Sequence, residues 1–185
     1  NLEGLNLEAV GVETTKTGIE VDDRLRTSVP GIWAAGDVNA VAQFTPVAQY
    51  QARVAIADMF EQDAPPADYS VLPTSVFTDP ELGTVGLTEE QALDAGHDVG
   101  VGRNERVRRF SYIAAEHGLF KVVFDRATRN VLGLHVVSRS AGDVVQGFSL
   151  GLRLGATVED LAAMQHVFPT FGEGLKAAAE QALLS

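Results

Sequence analysis

Residues 27–37 read Thr-Ser-Val-Pro-Gly-Ile-Trp-Ala-Ala-Gly-Asp. An apolar strand is expected over Ile32–Ala35, losing its side chains at Gly36 and delivering a carboxylate at Asp37. Glycine at a strand end allows another group to approach the backbone closely, and a carboxylate beside it can accept hydrogen bonds from hydroxyls. Further on, Thr45-Pro46 has the form of a helix start, with Thr45 as N-cap and Pro46 in the first helical position. Such a start offers free N–H donors and the positive end of a dipole. Together these features suit an electron-rich ligand that carries a polyol. The remaining candidates for chemistry are sparse. Gly100-Val101-Gly102 has no third glycine and makes no dinucleotide fingerprint, and His97, His117 and His135 are scattered without metal-ligand spacing.

The elements that must position these residues fall into two textures. The first comprises a short helical turn around Leu2, Leu5 and Leu7, a Thr17-Gly18 turn, a strand at Ile19–Val21 and the strand leading to Gly36. The helix from Pro46 follows, running to about Phe60 with Ala48, Ala52, Ala55 and Met59 as its stripe. A charged connector with Pro65-Pro66 covers Glu61–Ser70. Beyond it lie strands at 76–78 and 84–87 and a helix behind the capping-box pattern Thr88…Gln91. A hairpin pairs 119–124 with 131–137, and helices follow at 144–152, at 157–163 behind Thr157, and from Phe171 or Gly172 through Leu175, Ala178, Ala179, Ala182 and Leu183. Antiparallel hairpins followed by helices predict an α+β layer. The domain boundary is expected at the connector, giving 1–64 and 65–185.

Composition excludes several classes. The net charge of −11 disfavours nucleic acid, and the basic group Arg103, Arg106, Arg108 and Arg109 reads as a solvated strand or loop face. The chain has no cysteine, which rules out structural disulfides and thiolate metal sites within it. No apolar run approaches the ~18 residues of a membrane span, and no export signal opens the sequence. The expected setting is cytoplasmic.

Residue by residue, the Gly36-Asp37…Thr45-Pro46 pattern resembles the second flavin-binding motif of the FAD-dependent pyridine nucleotide-disulfide oxidoreductases, the family of dihydrolipoyl dehydrogenase, glutathione reductase and mercuric reductase. Phe77-Thr78-Asp79-Pro80-Glu81, Val85-Gly86-Leu87-Thr88-Glu89, Leu132–Val137 and Ala141–Gly147 are similar, in order, to that family's dimerisation domain, with Asp143 where Glu is usual. The resemblance implies a C-terminal piece of a longer chain: the end of an α/β FAD-binding domain over 1–64, then a dimerisation domain over 65–185. It implies FAD bound by Gly36, Asp37, Gln43, Phe44 and Thr45, NAD(P)H as electron donor, and a homodimer. The acceptor would be a small disulfide, Hg(II) or a related species, and the Cys pair that serves it would lie outside this sequence. In the disulfide-reducing members a His stands just before Pro-Thr, oriented by a Glu four residues after that Pro, and acts as acid–base. Here Glu173 holds the Glu position, but Phe168 holds that of the His. His166 is a candidate substitute, because residues 166 and 168 of an extended segment face one side some ~7 Å apart. Mercuric reductases also lack this His, and Glu173-Gly174-Leu175-Lys176-Ala177-Ala178 resembles their last helix. A free-standing dimerisation or binding module, and an NAD(P)H diaphorase or oxidase repurposed from the family, are the competing readings.

Overall fold

The computed structural model describes residues 2–61, 63–113 and 118–184. The chain divides into two compact units, the first ending at Tyr69 and the second beginning at Ser70.

In the first unit, α1 (Leu7–Val10) is a single helical turn and α2 (Thr45–Phe60) is the one long element. The rest is irregular chain tied by isolated bridges, Thr14 to Ile19 and Arg26 to Trp33. The strands predicted at Ile19–Val21 and Ile32–Ala35 are therefore extended segments with one paired residue each. A ladder needs a neighbour of equal length, and the stretch 32–34 meets Leu25–Thr27 through two bonds, Ala34 N–H to Leu25 O at 3.0 Å and Thr27 N–H to Ile32 O at 3.0 Å. Two small apolar clusters hold the unit, one around Val12, Ile19 and Ala34, the other around Leu25, Val54 and Ala55.

The second unit is a five-stranded antiparallel sheet ordered β1-β2-β5-β4-β3, from β1 (Thr74–Val76), β2 (Glu81–Gly86), β3 (Val99–Asn104), β4 (Leu119–Asp125) and β5 (Val131–Ser138). Helices α5 (Ala141–Arg153), α6 (Val158–Ala163) and α7 (Glu173–Ala182) accompany it, and α3 (Glu89–Asp94) and α4 (Arg108–Ile113) connect its strands. The core joins Phe120, Phe124, Leu134, Val136, Val145, Leu161 and Leu175. This is the α+β layer expected. Thr88 and Thr157 both form complete capping boxes, with Gln91 and Asp160. Strand β3 and helix α4 occupy the region read as an isolated Gly-x-Gly and a solvated basic face. His117 lies outside the described residues.

Candidate functional site

The Gly36-Asp37 junction is set by backbone that only glycine holds. Gly36 has φ +87° and ψ −158°. It is also buried, and a Cβ there would sit 3.3 Å from the Ala48 Cβ of α2. The close approach that this glycine permits is thus that of α2 itself. Asp37 opens one 3-10 turn, Asp37–Asn39, closed by Ala40 N–H to Asp37 O at 3.1 Å. The Asp37 side chain is exposed and forms no hydrogen bond among the described residues.

Helix α2 begins differently from the expectation. Its N-cap is Phe44, in extended backbone with φ −131° and ψ 139°, and no side chain caps it. Thr45 is the first helical residue, so its hydroxyl is not the cap. The Phe44 carbonyl accepts from Val47 N–H at 3.0 Å and Ala48 N–H at 3.1 Å, and Pro46 has no N–H. That leaves the Thr45 N–H free among the described residues, at the positive end of a 16-residue helix. Gln43, Phe44 and Thr45 are all exposed.

The inner face of α2 also departs from the predicted stripe. Val47, Gln51, Val54 and Ala55 are buried, while Ala52 and Met59 are exposed. Alanine fits either face of a helix, so an alanine stripe carries little orientation. The polar residues carry more. Gln51 accepts Gly36 N–H at 2.6 Å and Asn39 Nδ2 at 2.9 Å. Asp58, its side chain 3% exposed, accepts Arg26 Nε at 2.6 Å, Arg26 Nη2 at 2.5 Å and Trp33 Nε1 at 2.9 Å. The Arg26 and Trp33 hydrogen bonds pull the Asp58 carboxyl down to about 2. Neither Gln51 nor Asp58 was singled out from sequence. The available signal was a polar residue four positions from Val47, on the same helical face.

At the far end of the chain, a segment without regular secondary structure leads from α6 to the Phe168-Pro169 pair and into α7. Glu173 is the first residue of α7, and its Oε2 accepts Thr170 N–H at 2.9 Å, while Thr170 Oγ1 donates to Val167 O at 2.7 Å. His166 and Glu173 line one cavity of about 290 Å³ with Arg106, Arg108 and Lys176. Phe168, 63% exposed, is not among its walls. The structure therefore brings the imidazole and the carboxylate to one cavity, with the carboxylate held by its own loop.

The other described histidines are engaged locally. His97 Nδ1 pairs with Asp125 Oδ2 at 2.8 Å, and His135 is held between Thr84 Oγ1 (2.5 Å) and Leu87 O (3.0 Å), where burial lowers its pKa. No group of three His, Cys, Asp or Glu able to hold a metal occurs among the described residues. No helix among them is long and apolar enough to cross a membrane.

Comparison with known proteins gives matches over both units. Residues 72–179 match the family model described as pyridine nucleotide-disulphide oxidoreductase, dimerisation domain, and residues 1–52 match that described as pyridine nucleotide-disulphide oxidoreductase. A mercuric reductase of Lysinibacillus sphaericus is 43% identical over 97% of this chain and 33% of its own. A dihydrolipoyl dehydrogenase of Chlorobaculum tepidum is 36% identical over 100% and 40%. Among solved structures, LpdA from Mycobacterium tuberculosis aligns with a TM-score of 0.86 at 27% identity, covering 97% of this chain and 40% of its own. The HOCl-induced flavoprotein disulfide reductase RclA from Escherichia coli aligns at 0.84 and 26%, covering 95% and 41%. The chain spans 33% to 40% of the length of these two curated relatives.

Proposed function

The chain belongs to the pyridine nucleotide-disulphide oxidoreductase family, and we propose that it supplies one edge of an FAD site and the self-association surface of a homodimeric NAD(P)H-dependent flavoenzyme. The observation that carries this reading is the pairing of two unpartnered groups of opposite character, the Asp37 carboxylate and the Thr45 N–H, on chain packed against a single helix. These suit FAD. Asp37 offers acceptors to the ribityl hydroxyls, and the start of α2 favours negative charge at the pyrimidine edge of the flavin ring. Gln43 and Phe44, exposed beside Thr45, would extend that edge and face the nicotinamide donor. FAD, when bound, would pass electrons from NAD(P)H to the acceptor. Residues 1–64 then close the FAD-binding domain and 65–185 form the dimerisation domain. In the second unit Phe77 is 84% exposed and Leu154 78%, apolar surface that a partner copy would cover.

The acceptor is a small disulfide, Hg(II) or a related species, in a branch that resembles mercuric reductases in lacking the His before Pro-Thr. His166 is our candidate for moving a proton, a reading supported by the cavity it shares with Glu173. Phe168 favours a second reading, an NAD(P)H diaphorase or oxidase, since phenylalanine cannot shuttle a proton. The test is purification of the full-length protein that carries this segment. It should be yellow, and Asp37→Ala should lose most of its flavin on gel filtration while remaining folded. A colourless wild-type protein, or flavin retention unchanged by Asp37→Ala, would overturn the reading. Turnover of a disulfide or Hg(II) that falls in His166→Ala selects the first acceptor class. Dye reduction alone, indifferent to His166, selects the diaphorase.

A further inference from the structure

Helix α2 holds a buried amide to which the flavin reading assigns no role. Gln51 is fully buried, and every polar atom of its side chain is engaged. Its Oε1 takes Gly36 N–H and Asn39 Nδ2, and its Nε2 donates to Tyr69 Oη at 2.9 Å and to Asn39 Oδ1 at 3.5 Å. Asn39, also buried, donates to Ala34 O at 3.1 Å and accepts Val41 N–H at 3.2 Å. One side chain therefore grips the backbone immediately before Asp37, the residue that ends the turn containing it, and the segment ending at Tyr69. Tyr69 is in turn braced edge-on against Tyr50 of the same helix, ring centroids 5.9 Å apart.

We propose that Gln51 is a positioning residue for the flavin. It locks the Gly36–Asn39 turn to α2, so that the Asp37 carboxylate and the Thr45 N–H are presented by one rigid body. This rests on the reading of Asp37 and Thr45 as FAD contacts. The two contacts belong to different parts of the chain and would reach different parts of the cofactor. An affinity that depends on both requires their separation to be fixed before binding. The turn's tie to Ile19, whose N–H donates to Val38 O at 2.8 Å, leads away from α2 and by itself leaves the turn free to shift along the helix. The Gln51 amide removes that freedom, and a buried Gly36 N–H without it would have to seek another acceptor.

The chemistry of the site predicts which substitutions are tolerated. Leucine fills a similar volume but abandons Gly36 N–H, Asn39 Nδ2 and Tyr69 Oη. Glutamate keeps the acceptor for Gly36 N–H and Asn39 Nδ2, but it turns an oxygen toward Asn39 Oδ1 and buries a negative charge, so it does not replace the amide. In the full-length holoenzyme we expect Gln51→Leu to raise the FAD dissociation constant by about tenfold or more. It should also change the visible circular dichroism and midpoint potential of the flavin that remains bound. Tyr69→Phe, which removes one partner at the edge of the network, should weaken FAD by a smaller factor and covers the case in which Gln51→Leu does not fold.

Loss of stability alone would lower the unfolding temperature without moving the potential or the dichroism of folded, flavin-loaded enzyme. Wild-type affinity, dichroism and potential in Gln51→Leu would overturn the proposal, as would unchanged affinity in Tyr69→Phe where the leucine variant cannot be made. Asp37→Ala run in parallel separates the two levels. If it leaves FAD binding intact, the flavin reading itself fails. If it weakens FAD while Gln51→Leu does not, only the positioning role fails.

Discussion

Asp58 is a carboxylate whose partners Arg24, Arg26 and Trp33 all lie within the first unit, its own side chain covered while that of Arg26 is half exposed. It gathers Arg26 and Trp33 onto the inner face of α2, and Arg24 approaches it at 3.6 Å. Its pKa is lowered, chiefly by the hydrogen bond from Arg26 and then by that from Trp33. A carboxyl whose folded value lies below its unfolded one stabilises the fold at pH above the unfolded value, and this contribution is lost as pH falls through the folded value. Here the window runs from the ordinary carboxylate range down to about 2. Trp33 is the only tryptophan in this sequence, so the fluorescence of residues 1–185 reports on this contact. Acid titration should leave the Trp33 signal native at neutral pH and change it between about pH 4 and pH 2. Asp58→Asn should lower the unfolding temperature of the first unit at neutral pH and flatten that acid transition. An unchanged acid profile in Asp58→Asn would show that the contact contributes nothing to the fold.

At the scale of elements, β3 and α7 pack through a position where no side chain fits. A Cβ at Gly102 would run into the Ala178 carbonyl oxygen of α7, with the Ala182 methyl beyond it. Gly102→Val should therefore destabilise the second unit by roughly 2–3 kcal/mol, read as a lower urea midpoint at unchanged slope. The same residue explains why β3 was not legible. Glycine is depleted in strands and marks turns, so the alternation of Val99 and Val101 with Gly100 and Gly102 reads as loop, and packing against a helix distant in sequence reveals why Gly102 is there. By contrast, the hairpin over β4 and β5 could be read directly, because Phe120, Val122 and Phe124 alternate and a turn of polar residues follows. The caps at Thr88 and Thr157 were equally legible, since a capping box is a local pattern. The candidate site was legible only in part. Gly36, Asp37 and the start of α2 stand out as a motif, whereas Gln51, Asn39 and Asp58 act through partners far along the chain. Thr45 resembled a cap because threonine before proline usually is one. The chain here already turns into the helix at Phe44.

On the scale of the whole molecule, the two units differ in how much core they own. The second has a continuous apolar cluster reaching from Val85 to Ala182 and covering a five-stranded sheet. The first relies on two clusters of three buried residues each, together with the polar attachments of Gln51 and Asp58. Small units bury a smaller share of their surface and have little stability to spare. Residues 70–185 produced alone should therefore fold, with dispersed amide resonances and one cooperative urea transition. Residues 1–69 alone should lack a cooperative transition, because buried hydrogen bonds position a chain well but drive its collapse weakly. The isolated second unit also tests the proposed assembly. Val76, Phe77, Leu150 and Leu154 are each more than half exposed on it, and sedimentation should give the mass of a dimer. Phe77→Asp should then shift the equilibrium toward monomer without unfolding the sheet, since an exposed side chain contributes little to the fold it stands on. A folded monomer at high concentration would mean that this apolar surface serves something other than self-association.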